Sequence, residues 1–469
     1  MFTSLRGLWT RLLQKKSLGY VATLVFFLFL SRGLGLVRNI LLVSENFLTL
    51  READIVLLAT KVPDTLVSLL IMGTISSSLL PVAARTNQGD PTNQKVSDYL
   101  NLMYLSLLGV LGFFSVFILL FTPAILRLTT SPTLLTAIEV EGFFERYVHM
   151  TRILMLGPLI FATQGVFGIY LTLKERFGVY SWSGAIYNLG MIGGILFVGV
   201  FPGAVFAPAW GMMAGAALAS GVYVLASIRA GYRPLRLDFL KKGKILWERT
   251  KRDFYLTWRA FLPRIFLLNG VVVGNLLINT VGDGWEGQVT AVDLALSIQG
   301  VFFTLITAVS TVFFPNIAKT FNNPQASKRY FWRRFFKFFE GVGLVSVGGT
   351  LGTWLLAPVV VWVFTLFGNS TRLPDYVILL TRLSAVAIVF QSLVEILSKY
   401  IYVRERVWQP ALISLTGLVG QVGITFLLRF VYGVDAGVAV VLGIIVNFAL
   451  VWAYMTVVVL GECEKDLLT

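Results

Sequence analysis

The chain has 469 residues, of which 56% are hydrophobic and only 13% charged, with 43 glycines and a mean hydropathy of +0.79. A soluble protein of this size could not hide so much apolar surface, and disordered, coiled-coil, collagen-like and disulfide-scaffold classes are excluded as well. The net charge of +15 would suggest nucleic acid on a soluble domain, but on this chain it points to basic cytoplasmic loops.

The N-terminal stretch Met1–Ser17 carries Arg6, Arg11, Lys15 and Lys16, and an apolar run starts at Leu18. That run exceeds a signal-peptide core and shows no small-residue cleavage site, so it is the first span. Apolar segments recur near 18–44, 53–84, 97–126, 147–173, 179–200, 207–229, 260–281, 288–318, 335–367, 374–401, 408–431 and 436–460. They are too long, and too little alternating, for the strands of a bilayer β-barrel. The expected fold is therefore an all-α polytopic membrane protein of twelve spans. With the N-terminus inside, 28 of the 39 basic residues fall in inner segments, five in outer ones and six within spans. This asymmetry fits the positive-inside rule and predicts a multi-pass protein with an even number of spans and both termini cytoplasmic.

The chain repeats itself. Thr151-Arg152 precedes Lys174-Glu175-Arg176 by the same interval that separates Thr381-Arg382 from Arg404-Glu405-Arg406, and Tyr170 matches Tyr400. A second echo relates SSSLLPVAAR around Pro81 to STVFFPNIAK around Pro315. Residues 1–229 and 260–469 are thus expected to form two six-helix lobes related by a pseudo-two-fold axis along the membrane normal, with a site between them. The connecting segment 230–259 holds a dense run of Lys and Arg. Its second part reads either as a basic amphipathic helix on anionic inner-leaflet lipids, with Leu240, Ile245, Leu246 and Trp247 inward, or as a positive-inside connector.

A charge in the hydrocarbon layer costs at least about 2.5–3.5 kcal/mol on insertion scales, so it faces protein or water. The six in-span cations are Arg32, Arg38, Lys61, Arg152, Arg264 and Arg382. Arg32 and Arg38 are separated by about 9 Å of helix rise, with Gly33 and Gly35 between them allowing a bend. Span 2 carries Asp54, Lys61, Pro63 and Asp64; Asp54 and Lys61 share a helical face, and Pro63 should kink the helix. Arginines in a low-dielectric cavity recognise anions, phosphate above all. The alternatives are local pairing, Lys61 with Asp54 or Asp64, or snorkelling, which is the favoured reading for Arg152 and Arg382. Asp293 and Glu395 are further acids in spans, each able to carry a coupling proton or to neutralise an arginine. No serine-hydrolase, P-loop or zinc-protease motif occurs, Cys463 has no cysteine partner, and His149 is the single histidine, so neither an enzyme nor a metal site is expected.

SRGLGLVRN at 31–39, then Ala53-Asp54, Lys61-Val62-Pro63-Asp64, Gly73, Ser76 and Pro81, resemble the MurJ (MviN) lipid II flippases of the MOP exporter superfamily. That family runs SRxLGxxRD, then (T/A)DAFxxAFKxPN, then a segment ending GAFSxxFxP. The resemblance implies alternating access for an undecaprenyl-diphosphate-linked peptidoglycan precursor, with cell-wall synthesis enzymes as partners and no cofactor beyond an ion gradient or membrane potential. It maps the family's first-span arginines onto Arg32 and Arg38 and its second-span charges onto Asp54 and Lys61. Arg264, Asn39 and Ser68 complete the expected substrate-binding set, and Asp64, Asp293 and Glu395 the coupling or structural charges. The chain departs from the pattern at Asn39 (Asp in the family), at Val67 and Ser68 (paired arginines), at Met72 (glutamate), and at Leu294–Gln299 (an ADRLxE pattern). Family members usually have fourteen spans. Other readings of the same residues are an exporter of another polyprenyl-linked glycan or of drugs within the superfamily, or a non-transporting, lipid-binding scaffold.

Overall fold

A computed structural model of the chain describes residues 17–44, 46–68, 79–87, 93–174, 176, 179, 182–201, 204–234, 247–248, 250–259, 270–321, 327–366, 373–404, 406 and 408–468. The described residues are helical almost throughout, with no strand among them. The helices are α1 Ser17–Leu42, α2 Leu50–Val67, α3 Leu80–Asn87, α4 Gln94–Thr129, α5 Pro132–Val140, α6 Phe144–Leu154, α7 Gly157–Leu173, α8 Ser183–Val200, α9 Ala207–Arg229, α10 Gly270–Val281, α11 Gln288–Phe321, α12 Lys328–Thr365, α13 Leu373–Val403, α14 Trp408–Phe426 and α15 Ala436–Leu468. Eight described stretches are long and apolar enough to cross a membrane by themselves, and Val271–Val281 and Gln288–Thr304 are shorter apolar helices. Among the described residues, each of the twelve predicted spans overlaps a helix.

Local sequence explains where boundaries move from their predicted places. The second span starts at Leu50 because Thr49 and Glu52 form a capping box: the Glu52 N–H donates to Thr49 Oγ1 and the Thr49 N–H to the Glu52 carboxylate. The ninth starts at Lys328, where Ser327 Oγ accepts the Tyr330 N–H at 3.1 Å. The short helix α5, which hydropathy does not predict, begins with Ser131 as cap and Pro132 in its first turn. The fourth span is broken between α6 and α7, just ahead of Pro158, which lacks an N–H and crowds the carbonyl four residues back. Pro63, by contrast, lies inside α2, which stays helical to Val67.

The internal repeat is visible in backbone and side-chain contacts. The N–H groups of Lys174 and Arg176 bond to the carbonyls of Tyr170 and Leu171, and those of Arg404 and Arg406 bond to Tyr400 and Ile401. Lys174 stands over the Tyr170 ring at 5.5 Å, Arg404 over the Tyr400 ring at 5.4 Å. In each half, small residues bring the last two helices close together. A Cβ at Gly190 or Gly194 of α8 would run into the carbonyls of Gly211 or Ala207 on α9, and one at Gly417 or Gly443 would meet Asn447 or Thr425 in the α14–α15 pair.

Four apolar clusters show how the halves meet. The largest takes side chains from both, including Leu42, Ile55, Leu58 and Tyr147 from the first and Ile278, Val292, Leu380 and Ile444 from the second. Another, around Trp332, Phe335 and Tyr400, belongs wholly to the second half. Two more, around Tyr99, Tyr170 and Tyr232 and around Leu111 and Ala162, belong to the first half together with the connecting segment. The face of the bundle near the connecting segment is called the linker face below. The opposite face carries residues 43–44, 46–49, 130–143, 282–287 and 432–435.

Of the connecting segment, residues 250–259 form a helix. It docks on the first half through Thr257, which bonds to the Tyr99 hydroxyl, and Asp253, which accepts from Thr86. Trp247, whose ring meets that of Phe254, is exposed from the protein, as are Lys251 and Arg252. The buried face of this helix is thus turned to the protein. Leu240, Ile245 and Leu246 lie outside the described residues.

Candidate functional site at the seam between the halves

The first-span motif folds into a tight corner with α8. Gly184 and Gly35 let the two helices approach, since a Cβ at Gly184 would overlap the Ser31 hydroxyl and one at Gly35 would touch the Asn188 amide at 3.7 Å. Asn188 uses that proximity: its Nδ2 donates to the carbonyls of Ser31 at 2.9 Å and Gly184 at 3.0 Å. Arg38 donates through Nη1 to Asn188 Oδ1 at 3.4 Å, and through Nε and Nη2 to Asn39 Oδ1 at 2.9 and 2.7 Å. Asn39 in turn donates to Ser297 Oγ of α11 at 3.2 Å. Arg32 Nε donates to Thr304 Oγ1, also on α11, at 3.1 Å.

The second span meets the same helix of the other half. Asp54, fully buried, accepts from the N–H groups of Gly287 and Thr290 and from the Thr290 hydroxyl, all between 2.7 and 2.9 Å. It therefore caps α11 in trans, where the helix dipole favours a negative charge. Lys61, 4% exposed, forms an ion pair with Asp293 at 2.8 Å and donates to Asn275 Oδ1 at 3.4 Å. The expected alternative partners of Lys61 were Asp54 and Asp64 on its own helix. Both expectations fail because the face shared by Asp54 and Lys61 packs on α11, whose N-terminus and carboxylate are nearer. Asp64 instead lines a small cavity with Thr60, Phe161, Tyr187 and Met212. Ser68 ends α2, its N–H donating to the carbonyls of Asp64 and Thr65.

The contact residues Thr290, Asp293, Ser297 and Thr304 form a single stripe of α11, one partner after another for α2 and then α1. Sequence reasoning singled out Asp293 but not the three hydroxyl residues, nor Asn188 and Asn275. The signal was present as polar residues at helical spacing in an otherwise apolar helix.

On the opposite face the seam is tied more heavily. Arg51, 4% exposed, pairs with Glu141 at 2.8 Å and donates to the Gly284 carbonyl across the seam, while its own N–H bonds to Glu286. Ser131 and Thr133 both donate to the Gly282 carbonyl. Gly284 has φ +84°, and a Cβ there would press on the Thr133 carbonyl at 2.9 Å, so only glycine suits that turn.

The other candidate charges lie elsewhere. Glu395 pairs with Lys399 one turn on, at 3.0 Å, so it is neutralised by a lysine of its own helix rather than by an arginine. Arg382 lies over the Trp354 ring at 4.4 Å and Arg152 is exposed, both away from the seam. Arg264 falls outside the described residues. Of the six in-span cations, those brought to the seam among the described residues are Arg32, Arg38 and Lys61, and the last is already paired with a carboxylate. Among the described residues no group of three or more His, Cys, Asp or Glu side chains is placed to hold a metal ion.

Comparisons with known proteins agree with this architecture. No curated protein matches the chain by sequence. Among solved structures, a lipid II flippase MurJ in an inward closed conformation superposes with a TM-score of 0.73 at 14% identity, covering 94% of this chain and 89% of that one. A multidrug-resistance MATE family transporter of the MOP superfamily, in an inward-facing conformation, gives 0.71 at 13% identity over 93% and 96% of the two chains. An outward-facing structure of a transporter of that family gives 0.62 at 15% identity over 96% of each. At these identities the likeness is one of fold. The family model described as lipid II flippase MurJ matches residues 46–462. That match starts after the arginine motif of α1 and covers the rest of the seam, and it shows that the chain belongs to the MurJ family of lipid II flippases, which are transporters and not enzymes.

Proposed function

We propose that this chain carries lipid II, an undecaprenyl-diphosphate-linked peptidoglycan precursor, from the inner to the outer leaflet by alternating access, with Arg32 and Arg38 holding the diphosphate. The observation that carries this reading is the partnership of these two arginines, whose hydrogen bonds at the seam all go to uncharged oxygens. A guanidinium with no carboxylate as a direct hydrogen-bond partner keeps donors for phosphate and binds it with forked geometry. Lys61, already neutralised by Asp293, contributes to the seam rather than to the binding charge. The prenyl tail stays in the bilayer.

Residues 1–229 and 260–469 are the two moving bodies in this reading, and the segment 230–259 tethers them on the cytoplasmic side. The excess of basic residues on the linker face supports that orientation. The exposed Lys251, Arg252 and Arg259 of the tether would meet anionic inner-leaflet lipids. The halves share one apolar cluster and several polar ties toward the opposite face, while the clusters nearer the linker face each belong to one half, which fits an inward-facing state. An ion gradient or the membrane potential drives the cycle. Asp64, which makes no ion pair among the described residues and borders a cavity, is the carboxylate placed to take a coupling proton.

Purified protein in liposomes is expected to move fluorescent lipid II between leaflets, and Arg32→Ala and Arg38→Ala are each expected to reduce the rate at least tenfold. Unchanged rates in both variants would sink the cationic-site mechanism. Binding of lipid II without movement in the wild type would favour a scaffold instead.

A further inference from the structure

We infer that Lys174, Arg176 and Arg233, gathered around Tyr170 on the linker face of the first half, form a binding site for the phosphate group of an inner-leaflet lipid. The inference uses the orientation proposed above and does not depend on the seam arginines.

Three elements of the first half build this corner. Past the end of α7, Lys174 stands over the Tyr170 ring, and its Nζ donates to Asn93 Oδ1 at 2.5 Å. Asn93 precedes α4 with φ +55°, and its side chain makes no cap bond to that helix. Past the end of α9, the backbone of Arg233 is pinned to α4. Its N–H donates to Ser97 Oγ at 3.1 Å, and its carbonyl accepts from Asn101 Nδ2 at 2.9 Å. Arg233 Nη1 donates to Gln94 Oε1 at 2.6 Å. Arg176 and Arg233 both lie close enough to act electrostatically on the Tyr170 hydroxyl, which donates to the Ala230 carbonyl. The rings of Tyr170 and Tyr232 meet at 5.0 Å in the same corner, and tyrosines suit the level of lipid head groups.

The internal repeat supplies the comparison. The matching corner of the second half carries Arg404 and Arg406 beside Tyr400, and there the cations meet carboxylates. Arg404 bonds to Glu462 and Asp466, and Arg406 to Glu462. A shift of 230 positions, which carries Lys174 and Arg176 onto Arg404 and Arg406, carries Tyr232 onto Glu462 and Arg233 onto Cys463. Among the described residues, Lys174, Arg176 and Arg233 bond to no carboxylate. Asp98, one turn into α4, accepts from the Gln94 amino group at 2.9 Å and so acts on the corner only from behind that amide. Glu175 and Glu405, between the cations of each elbow, are common to both halves and lie outside the described residues.

Cations past the ends of α7 and α9 also complement the helix dipoles and the inside-positive bias. The second half has the same helix ends, yet it meets its arginines with carboxylates. A phosphate would supply to the first half what Glu462 and Asp466 supply to the second, an anion that takes forked guanidinium donors and an ammonium together. Arg176 and Arg233 are exposed and Lys174 is half-buried, so the corner is open to such a ligand. Basic residues just cytoplasmic of a span are where anionic head groups are held.

The test uses the full chain in micelles of uncharged detergent, with dioctanoyl phosphatidylglycerol as the probe and the thermal midpoint as a fold check. The double variant Arg176→Gln, Arg233→Gln is expected to weaken binding about tenfold or more. The control Arg333→Gln, Lys337→Gln removes the same charge from exposed positions of α12 and should change it less than about threefold. A second arm uses farnesyl diphosphate with Arg32 and Arg38 both replaced by alanine, which removes the seam site. Loss of phosphatidylglycerol binding identifies the ligand as a bilayer phospholipid, and loss confined to farnesyl diphosphate identifies it as the diphosphate of the transported lipid. Equal losses in the double variant and the control overturn the site, because they assign the effect to net charge. No loss in either arm, or a wild type that binds neither probe, also overturns it and leaves the seam reading untouched. If the double variant does not fold, undiminished binding of both probes by Arg176→Gln alone overturns the inference in its place.

Discussion

Lys61 shows what a buried charge contributes at the scale of one residue. It is almost wholly enclosed, and its carboxylate partner belongs to the other half of the chain. Removing one member of such a pair leaves the other desolvated and uncompensated, at a cost of about 3–5 kcal/mol, whereas replacing both with apolar groups of similar size is close to neutral. Lys61→Met and Asp293→Leu are each expected to lower the unfolding midpoint clearly, and the double variant to recover most of the loss. A double-mutant cycle in mild detergent checks this, and additive losses would show that the two residues do not act as a pair. The sequence marks Lys61 as a membrane charge in need of a partner. It offers partners on the same helix, because helical spacing says which residues share a face and nothing about what that face meets.

At the scale of elements, α11 and the α8–α9 pair have different tasks. The stripe Thr290, Asp293, Ser297 and Thr304 makes α11 the surface on which α1 and α2 rest, with its N-terminus capped by Asp54. The α8–α9 pair is held by backbone contact at glycine. Gly194→Leu must push α9 away from Ala207, whereas Gly193, one residue earlier, has nothing within 4 Å. Gly194→Leu is expected to destabilise the protein by about 1–3 kcal/mol or more and to lower its yield. Gly193→Leu should leave both unchanged, and thermal melts of the two variants side by side decide the matter. Much of this scale is legible in one dimension. The capping box Thr49–Glu52, the cap at Ser327 and the break ahead of Pro158 are written in local residue types, while the hydropathy windows placed span starts at the first strongly apolar residue and so missed the polar caps.

For the whole molecule, the distribution of ties along the seam sets how the halves can move. From Thr304 toward the opposite face the seam is joined at successive depths by Arg32, Asn39, Lys61, Asp54 and Arg51. A transporter that alternates access must release these contacts in each cycle. Cysteines at Asn39 and Ser297, introduced with Cys463→Ala so that no other thiol remains, are expected to be joined by a short bifunctional thiol reagent that reducing agent cleaves. Joining them should stop lipid movement and reduction should restore it. Transport that continues through the cross-link would mean that the seam does not open there.

Composition, hydropathy and the placement of Lys and Arg by themselves determined that this is a helical membrane protein of about twelve spans built from two repeated halves. The local motifs at 31–39 and 53–81 pointed to its family. These properties are sums over neighbouring residues, or repeats along the chain, and need no knowledge of distant contacts. Only the tertiary structure decided that Asp54 caps a helix of the other half, that Lys61 is neutralised by Asp293, and that Arg38 is held by two amides. The first two outcomes depend on which surfaces meet across the seam between the halves, and the third on α8 bringing Asn188 to α1 within the first half; burial there makes the identity of the partner decisive for the charge that remains.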